Sequence, residues 1–205
     1  MPRQETVATT FDELVLALGV LGRRPWTWQR TRDGAVLVLL FYTALRVTEL
    51  RQLDLGQVDL AASTLRTVRR KGGKMQDVIL HPTAREALLA YLGVRPSSPS
   101  PALFLAKHNN RTSVRSIQKM LAKLGREAGL GNRLHPHALR HACATAMSSV
   151  GVGSSLIQRH LAHDSLVTTE RYLHTLSEPV RLGVGQLPAA NLDALAPSDD
   201  PDAES

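Results

Sequence analysis

The chain has 205 residues, 43% of them apolar, and carries 25 Lys and Arg against 18 Asp and Glu, a net charge of +7. That length favours one main domain with short extensions, and the apolar share is enough for a core. The longest apolar-rich run, 35–45, is well short of the roughly 20 residues a membrane helix needs; Asp12 and Glu13 precede Leu14–Val20 in an order unlike a secretory signal, and a lone cysteine, Cys143, leaves no intramolecular disulfide and suits the reducing cytoplasm.

Taken in order, Phe11–Leu21 predicts a helix, followed by a basic link that bears Trp26 and Trp28, both expected to pack on the body. Thr31 is placed to cap a helix running to about Ala44, with Val36, Leu39, Leu40 and Thr43 on its apolar stripe. A second helix is expected over Val47–Leu53, then strands at Gln57–Leu60, Thr64–Arg70 and Met75–Leu80, the last two closed as a hairpin by Gly72 and Gly73. Pro82 opens a helix through Tyr91, and Thr112 starts another that reaches Gly129. Pro136 opens a helix ending at Gly151, and short helices follow at Ser154–Leu161 and Thr168–Leu176. Beyond Gly185 the Pro, Ala, Ser and Asp content predicts disorder. The thin apolar set Leu182, Val184, Leu187, Leu192 and Leu195 suits either docking on a neighbouring copy or a free tail. The fold class is therefore mainly α with a small antiparallel β-sheet (α+β).

Charge is unevenly spread. Residues 189–205 hold five acidic and no basic side chains, so the rest of the chain sets 25 basic residues against 13 acidic ones, a net of +12. Such a body favours a polyanion, because each phosphate it neutralises releases a counterion.

The densest motifs lie between Leu134 and His174, L-H-P-H-A-L-R-H and then L-A-H-D-S-L-V-T-T-E-R-Y-L-H. T-A-L-R-V-T-E-L lies upstream with Arg46, and the turn R-R-K-G-G-K carries Lys71. Guanidinium forks match phosphoryl oxygens and stay charged at any working pH. A tyrosine can serve as nucleophile if its proton is taken, and a lysine or histidine can protonate a leaving oxygen. Only Tyr42, Tyr91 and Tyr172 exist; the first two fall in apolar helices and suit packing. There is no phosphate-binding G-x-x-x-x-G-K-[ST] loop, and no metal or nucleotide cofactor is expected.

From Thr31 to about Leu176 the chain resembles the catalytic domain of the tyrosine recombinase (phage integrase) family. The resemblance implies a site-specific DNA recombinase that cleaves and rejoins strands through a 3′-phosphotyrosyl intermediate. In that scheme Tyr172 is the nucleophile, Arg46 and Arg140 bind the phosphoryl oxygens, His137 takes a proton or bonds an oxygen, and His163 donates to a non-bridging oxygen. By likeness to the family's G-K-G-x-K turn, Lys71 protonates the departing 5′ oxygen, with Lys74 the alternative. Glu49 and His141 support the site, and Arg69, Arg70 and the unchosen lysine contact DNA from the hairpin tip. The implied partners are double-stranded DNA and further copies of the chain, a tetramer on paired sites. A type IB topoisomerase and an inactive DNA-binding integrase remnant are the competing readings.

Ala44 and Ala162 stand where the family commonly has glycine, which is tolerable if the backbone there keeps a negative φ. The expected division is a short N-terminal helix and basic linker over 1–30 without a full core-binding domain, a catalytic domain over 31–188, and an acidic disordered tail over 189–205.

Overall fold

The computed structural model describes residues 10–70, 73, 75–161 and 177–196. Its axis is helix α2 (Trp28–Tyr42), capped by Thr27, whose hydroxyl accepts from the Arg30 amide at 3.1 Å. The expected cap, Thr31, lies a turn inside, and its hydroxyl donates instead to the Leu195 carbonyl at 3.1 Å. From Ala35 to Tyr42 no side chain is more than 2% exposed. The apolar stripe anticipated on Val36, Leu39 and Leu40 is thus a full circumference, the mark of a helix enclosed by others.

Four helices pack on α2: α1 (Phe11–Gly22), α4 (Pro82–Val94), α5 (Val114–Glu127) and α6 (Pro136–Ser149). Helix α1 starts with a capping box, Glu13 N to Thr10 Oγ1 at 3.3 Å and Thr10 N to Glu13 Oε2 at 3.1 Å. It turns Leu14, Ala17, Leu18 and Leu21 into the common core. Helix α1, on the N-terminal side of the division expected at residue 31, thus shares one core with α2. Trp28 packs against the core as expected, with the Arg32 guanidinium 5.4 Å from its ring centre.

Helix α3 (Val47–Gln52) follows α2 through a sharp corner and leads to the sheet. Strands β1 (Val58–Asp59), β2 (Thr64–Arg69) and β3 (Met75–Ile79) lie antiparallel in the order β1-β2-β3. Leu65 faces Val78 and Arg69 faces Met75, with a register irregularity between Leu65 and Val68. Thr67 sits in that irregularity at φ +46, and its amide donates to the Asp77 carboxylate at 2.8 Å. Helix α7 (Ser154–His160) follows α6.

The segment from helix α8 (Ser177–Gly185) to Ala196 packs on its own body. Val180, Val184, Leu187, Ala190 and Leu195 are buried there. Polar contacts fix the path: Tyr42 Oη donates to the Pro188 carbonyl at 2.6 Å, Arg30 Nε to that of Ala194 at 2.9 Å, and His81 Nε2 lies 3.1 Å from that of Leu187. The free tail expected over 181–195, and the disorder expected beyond Gly185, are corrected as far as Ala196. The helix expected at Thr168–Leu176 and residues 197–205 lie outside the described residues. No described helix is long and apolar enough to cross a membrane.

Candidate active site

Residues from four elements meet where α2 ends. Ala44 takes φ +49 after the helix, so the condition of a negative φ, under which alanine would be tolerable there, is not met. That corner aims the Ala44 carbonyl at Arg140 and makes Arg46 the N-cap of α3. Glu49, one turn into α3, holds Arg46 twice: Oε2 accepts from the Arg46 amide at 2.9 Å and Oε1 from Nη1 at 3.0 Å. Arg46 keeps 30% of its side chain exposed while Glu49 is 4% exposed, so the carboxylate is a buried brace for a guanidinium open to ligand.

Arg140 enters from the second turn of α6 and is 7% exposed. Its Nη1 donates to the Ala44 carbonyl and its Nη2 to the Leu161 carbonyl at 2.5 Å. Burial, followed by the charges of Arg46 and Arg70, pushes its pKa down to about 10, so it remains a cation at neutral pH. Arg70 comes from the end of β2 and is 4% exposed. Its Nη1 lies 3.6 Å from Glu49 Oε2, and its Nη2 donates to the His160 carbonyl at 3.3 Å. Burial lowers its pKa; Glu49 opposes that shift and Arg46 adds to it. Three guanidinia and one carboxylate thus lie close together, all but Arg46 buried, an excess of positive charge suited to an oxyanion.

His137, three residues before Arg140 on α6, is exposed at the helix N-terminus, on the same face by helical spacing. Between it and the preceding loop stands His135, whose Nδ1 caps the helix by accepting from the Ala138 amide at 3.2 Å. His141 is exposed and its Nδ1 lies 3.4 Å from Thr145 Oγ1, a turn further along. Arg69 is exposed at the end of β2, whereas Arg70, expected with it at the hairpin tip, points into the protein. Tyr42 and Tyr91 are fully buried, their hydroxyls bonded to Pro188 and Ala190 and to Leu105, which suits the packing role expected of them. Lys71, Lys74, Ala162, His163 and Tyr172 lie outside the described residues.

A family model described as the phage integrase family matches residues 11–178. The chain belongs to the phage integrase family. Among phage integrase family relatives, tyrosine recombinase XerC of Haemophilus ducreyi is 43% identical over 145 residues, 70% of this chain and 47% of that protein. Tyrosine recombinase XerD of Staphylococcus epidermidis is 36% identical over 155 residues, 73% of this chain and 52% of its own length. The chain therefore spans about half the length of these curated relatives. The crystal structure of XerA recombinase superposes with a TM-score of 0.71 at 31% identity, covering 88% of this chain and 65% of that one. The XerH recombinase bound to difH substrate shares the fold, with a TM-score of 0.67 at 24% identity over 77% of this chain and 47% of that one.

Two contributors to this integrase-family site hold places that motif reading does not give them. Arg70 is one. The other is His160, 4% exposed, whose Nε2–H donates to the Tyr42 carbonyl at 2.9 Å. Burial, with the charges of Arg70 and Arg140 behind it, pushes His160 down to about 4, so the ring is neutral at neutral pH. Its placement three residues before His163, followed by Leu161 and one helical turn after Leu156 and Ile157, is the available signal.

Proposed function

We propose that this chain is the catalytic part of a site-specific DNA recombinase of the phosphotyrosyl type. The observation that carries the reading is the convergence of Arg46 and Arg140, far apart in sequence, on one pocket with Glu49 holding the first and two carbonyls holding the second. An incoming phosphodiester carries one negative charge, and further charge builds on its non-bridging oxygens as a nucleophile approaches. Preorganised guanidinia stabilise that state without reorganising, each typically by roughly 100- to 1,000-fold in rate.

In the proposed reaction the Tyr172 oxygen attacks phosphorus, the bond to the 5′ oxygen breaks, and Lys71 passes a proton to that oxygen, with Lys74 the alternative donor. His137, exposed beside the pocket, accepts the phenolic proton or bonds a phosphoryl oxygen. His163 donates to a non-bridging oxygen. The phosphotyrosyl ester conserves the bond's free energy, so a 5′ hydroxyl from either strand attacks it, releases Tyr172 and restores the backbone. Double-stranded DNA is the proposed substrate, supported by the basic body and by the XerH structures, which hold difH substrate. Exchange between two sites calls for more than one copy, and a tetramer on paired sites is the assembly proposed.

The test uses a pool of nicked duplexes of randomised sequence, in which cleavage releases a short fragment and traps the protein. Wild-type chain is expected to become covalently attached to a subset sharing one sequence. Tyr172→Phe should attach to none, and Arg140→Ala should attach at least about 100-fold more slowly while still binding the selected duplex. DNA binding by the wild type without covalent attachment would overturn the proposal.

A further inference from the structure

Arg70 is the third guanidinium of the pocket, and its placement is costly. Its side chain is 2% exposed, and its Nε and Nη1 have no hydrogen-bond partner among the described residues. A buried charge with unsatisfied donors destabilises a fold, and an apolar side chain of similar length would serve packing better. Such a group persists where function needs it.

We propose that Arg70 is a positioning residue for strand cleavage, clamping the lysine-bearing hairpin onto the Arg46–Glu49 corner and the end of α7. The inference rests on the recombinase reading above. Three contacts define the clamp. Toward α3, Nη1 lies 3.6 Å from the Glu49 carboxylate that also grips Arg46. Toward α7, Nη2 donates to the His160 carbonyl at 3.3 Å, one residue before the Leu161 carbonyl that receives Arg140. Toward its own turn, the Arg70 carbonyl accepts from the Gly73 amide at 3.1 Å, with Gly73 at φ +79. Fixing Arg70 therefore fixes the end of β2, the residue that directly precedes Lys71 in the sequence. In the pattern G-K-G-x-K a glycine precedes the lysine, and a glycine has no side chain to make this clamp. Here the sequence is R-K-G-G-K.

A clamp on the proton donor predicts a selective defect. A 5′ oxygen leaves poorly unless it is protonated, whereas a 5′ sulfur leaves as a thiolate and needs no proton. The measurement compares covalent attachment to the duplex selected by the wild type, made with a 5′-oxygen or a 5′-thio leaving group, for the full chain and its Arg70→Met and Arg70→Lys variants. Duplex affinity and melting temperature are followed in parallel. Arg70→Met is expected to melt at or above wild type and to bind within about twofold. It should attach at least about tenfold more slowly to the oxygen substrate, a misplacement effect, and recover to within about threefold of wild type with sulfur. Arg70→Lys, which keeps the charge and loses the fork, should fall between the two. Attachment of Arg70→Met at the wild-type rate, equal slowing with oxygen and sulfur, or a melting temperature that falls along with activity would each overturn the clamp. A wild type that attaches to neither substrate overturns the recombinase reading as well, a result distinct from those three.

Discussion

At Ala44 a non-glycine residue occupies the left-handed region, fully buried, because its carbonyl must face Arg140. The strain of that conformation is about 1–2 kcal/mol. Glycine would relieve it, yet glycine also adds unfolded-state entropy worth about 0.4–1 kcal/mol and gives up a buried methyl worth about 0.8 kcal/mol. The opposing terms nearly cancel, so Ala44→Gly is expected to lie within about 1 kcal/mol of wild type in chemical denaturation. Ala44→Val combines a β-branched side chain at positive φ with overpacking worth about 1–3 kcal/mol. It should lose more than about 2 kcal/mol and weaken cleavage by moving the carbonyl under Arg140. Equal stability of the valine and glycine variants would show that the corner is not strained. The L-R-x-x-E spacing makes Arg46 and Glu49 legible as a pair, and the family's glycine at position 44 hints at a positive φ, whereas the partner of the Ala44 carbonyl, Arg140 on α6 about a hundred residues away, has no local signal.

Elements read from local chemistry came out close to their observed bounds. Pro82 and Pro136 open α4 and α6 as their fixed φ dictates, and the hairpin strands end within a residue of expectation. The C-terminal segment was misread because its composition resembles disorder while its anchors lie elsewhere in the chain, on Arg30, Thr31, Tyr42 and His81. Leu195 fills a notch over Gly34, where any added methyl would overlap its Cδ2. Cutting that buried side chain back should leave a cavity. Leu195→Ala is expected to cost about 2–5 kcal/mol in denaturant unfolding, and Leu182→Ala, at a position 63% exposed, close to nothing. Similar small losses for both would mean that the segment contributes little to the fold.

On the scale of the whole molecule, α2, α6, α7 and the sheet meet around His160, and that junction sets how stability responds to acid. Its folded pKa of about 4 lies below the ordinary 6.5, so the unfolded chain takes up the proton first as pH falls. Its stabilising contribution is complete above 6.5 and is lost progressively as pH drops to about 4, a change on the order of 3 kcal/mol. His81, also lowered by burial, acts in the same sense. Unfolding free energies measured between pH 7 and 4 should therefore fall more steeply for wild type than for His160→Gln, which keeps an N–H for the Tyr42 carbonyl; parallel curves would contradict the assignment. The same junction shows what strand alternation conceals. Counting inward from Leu65 puts Arg69 in the core and Arg70 in solvent. The irregularity before Val68 adds one residue and exchanges their faces.

Arg140 is shared between the Ala44 corner and the last residue of the α7 turn, with one hand on each carbonyl. Parting those two segments would strand a cation and two acceptors away from water at once, so neither can fray by itself. Amide exchange in the α2–α3 corner and at the end of α7 should accordingly proceed through one joint opening, which makes the pocket floor a single cooperative unit.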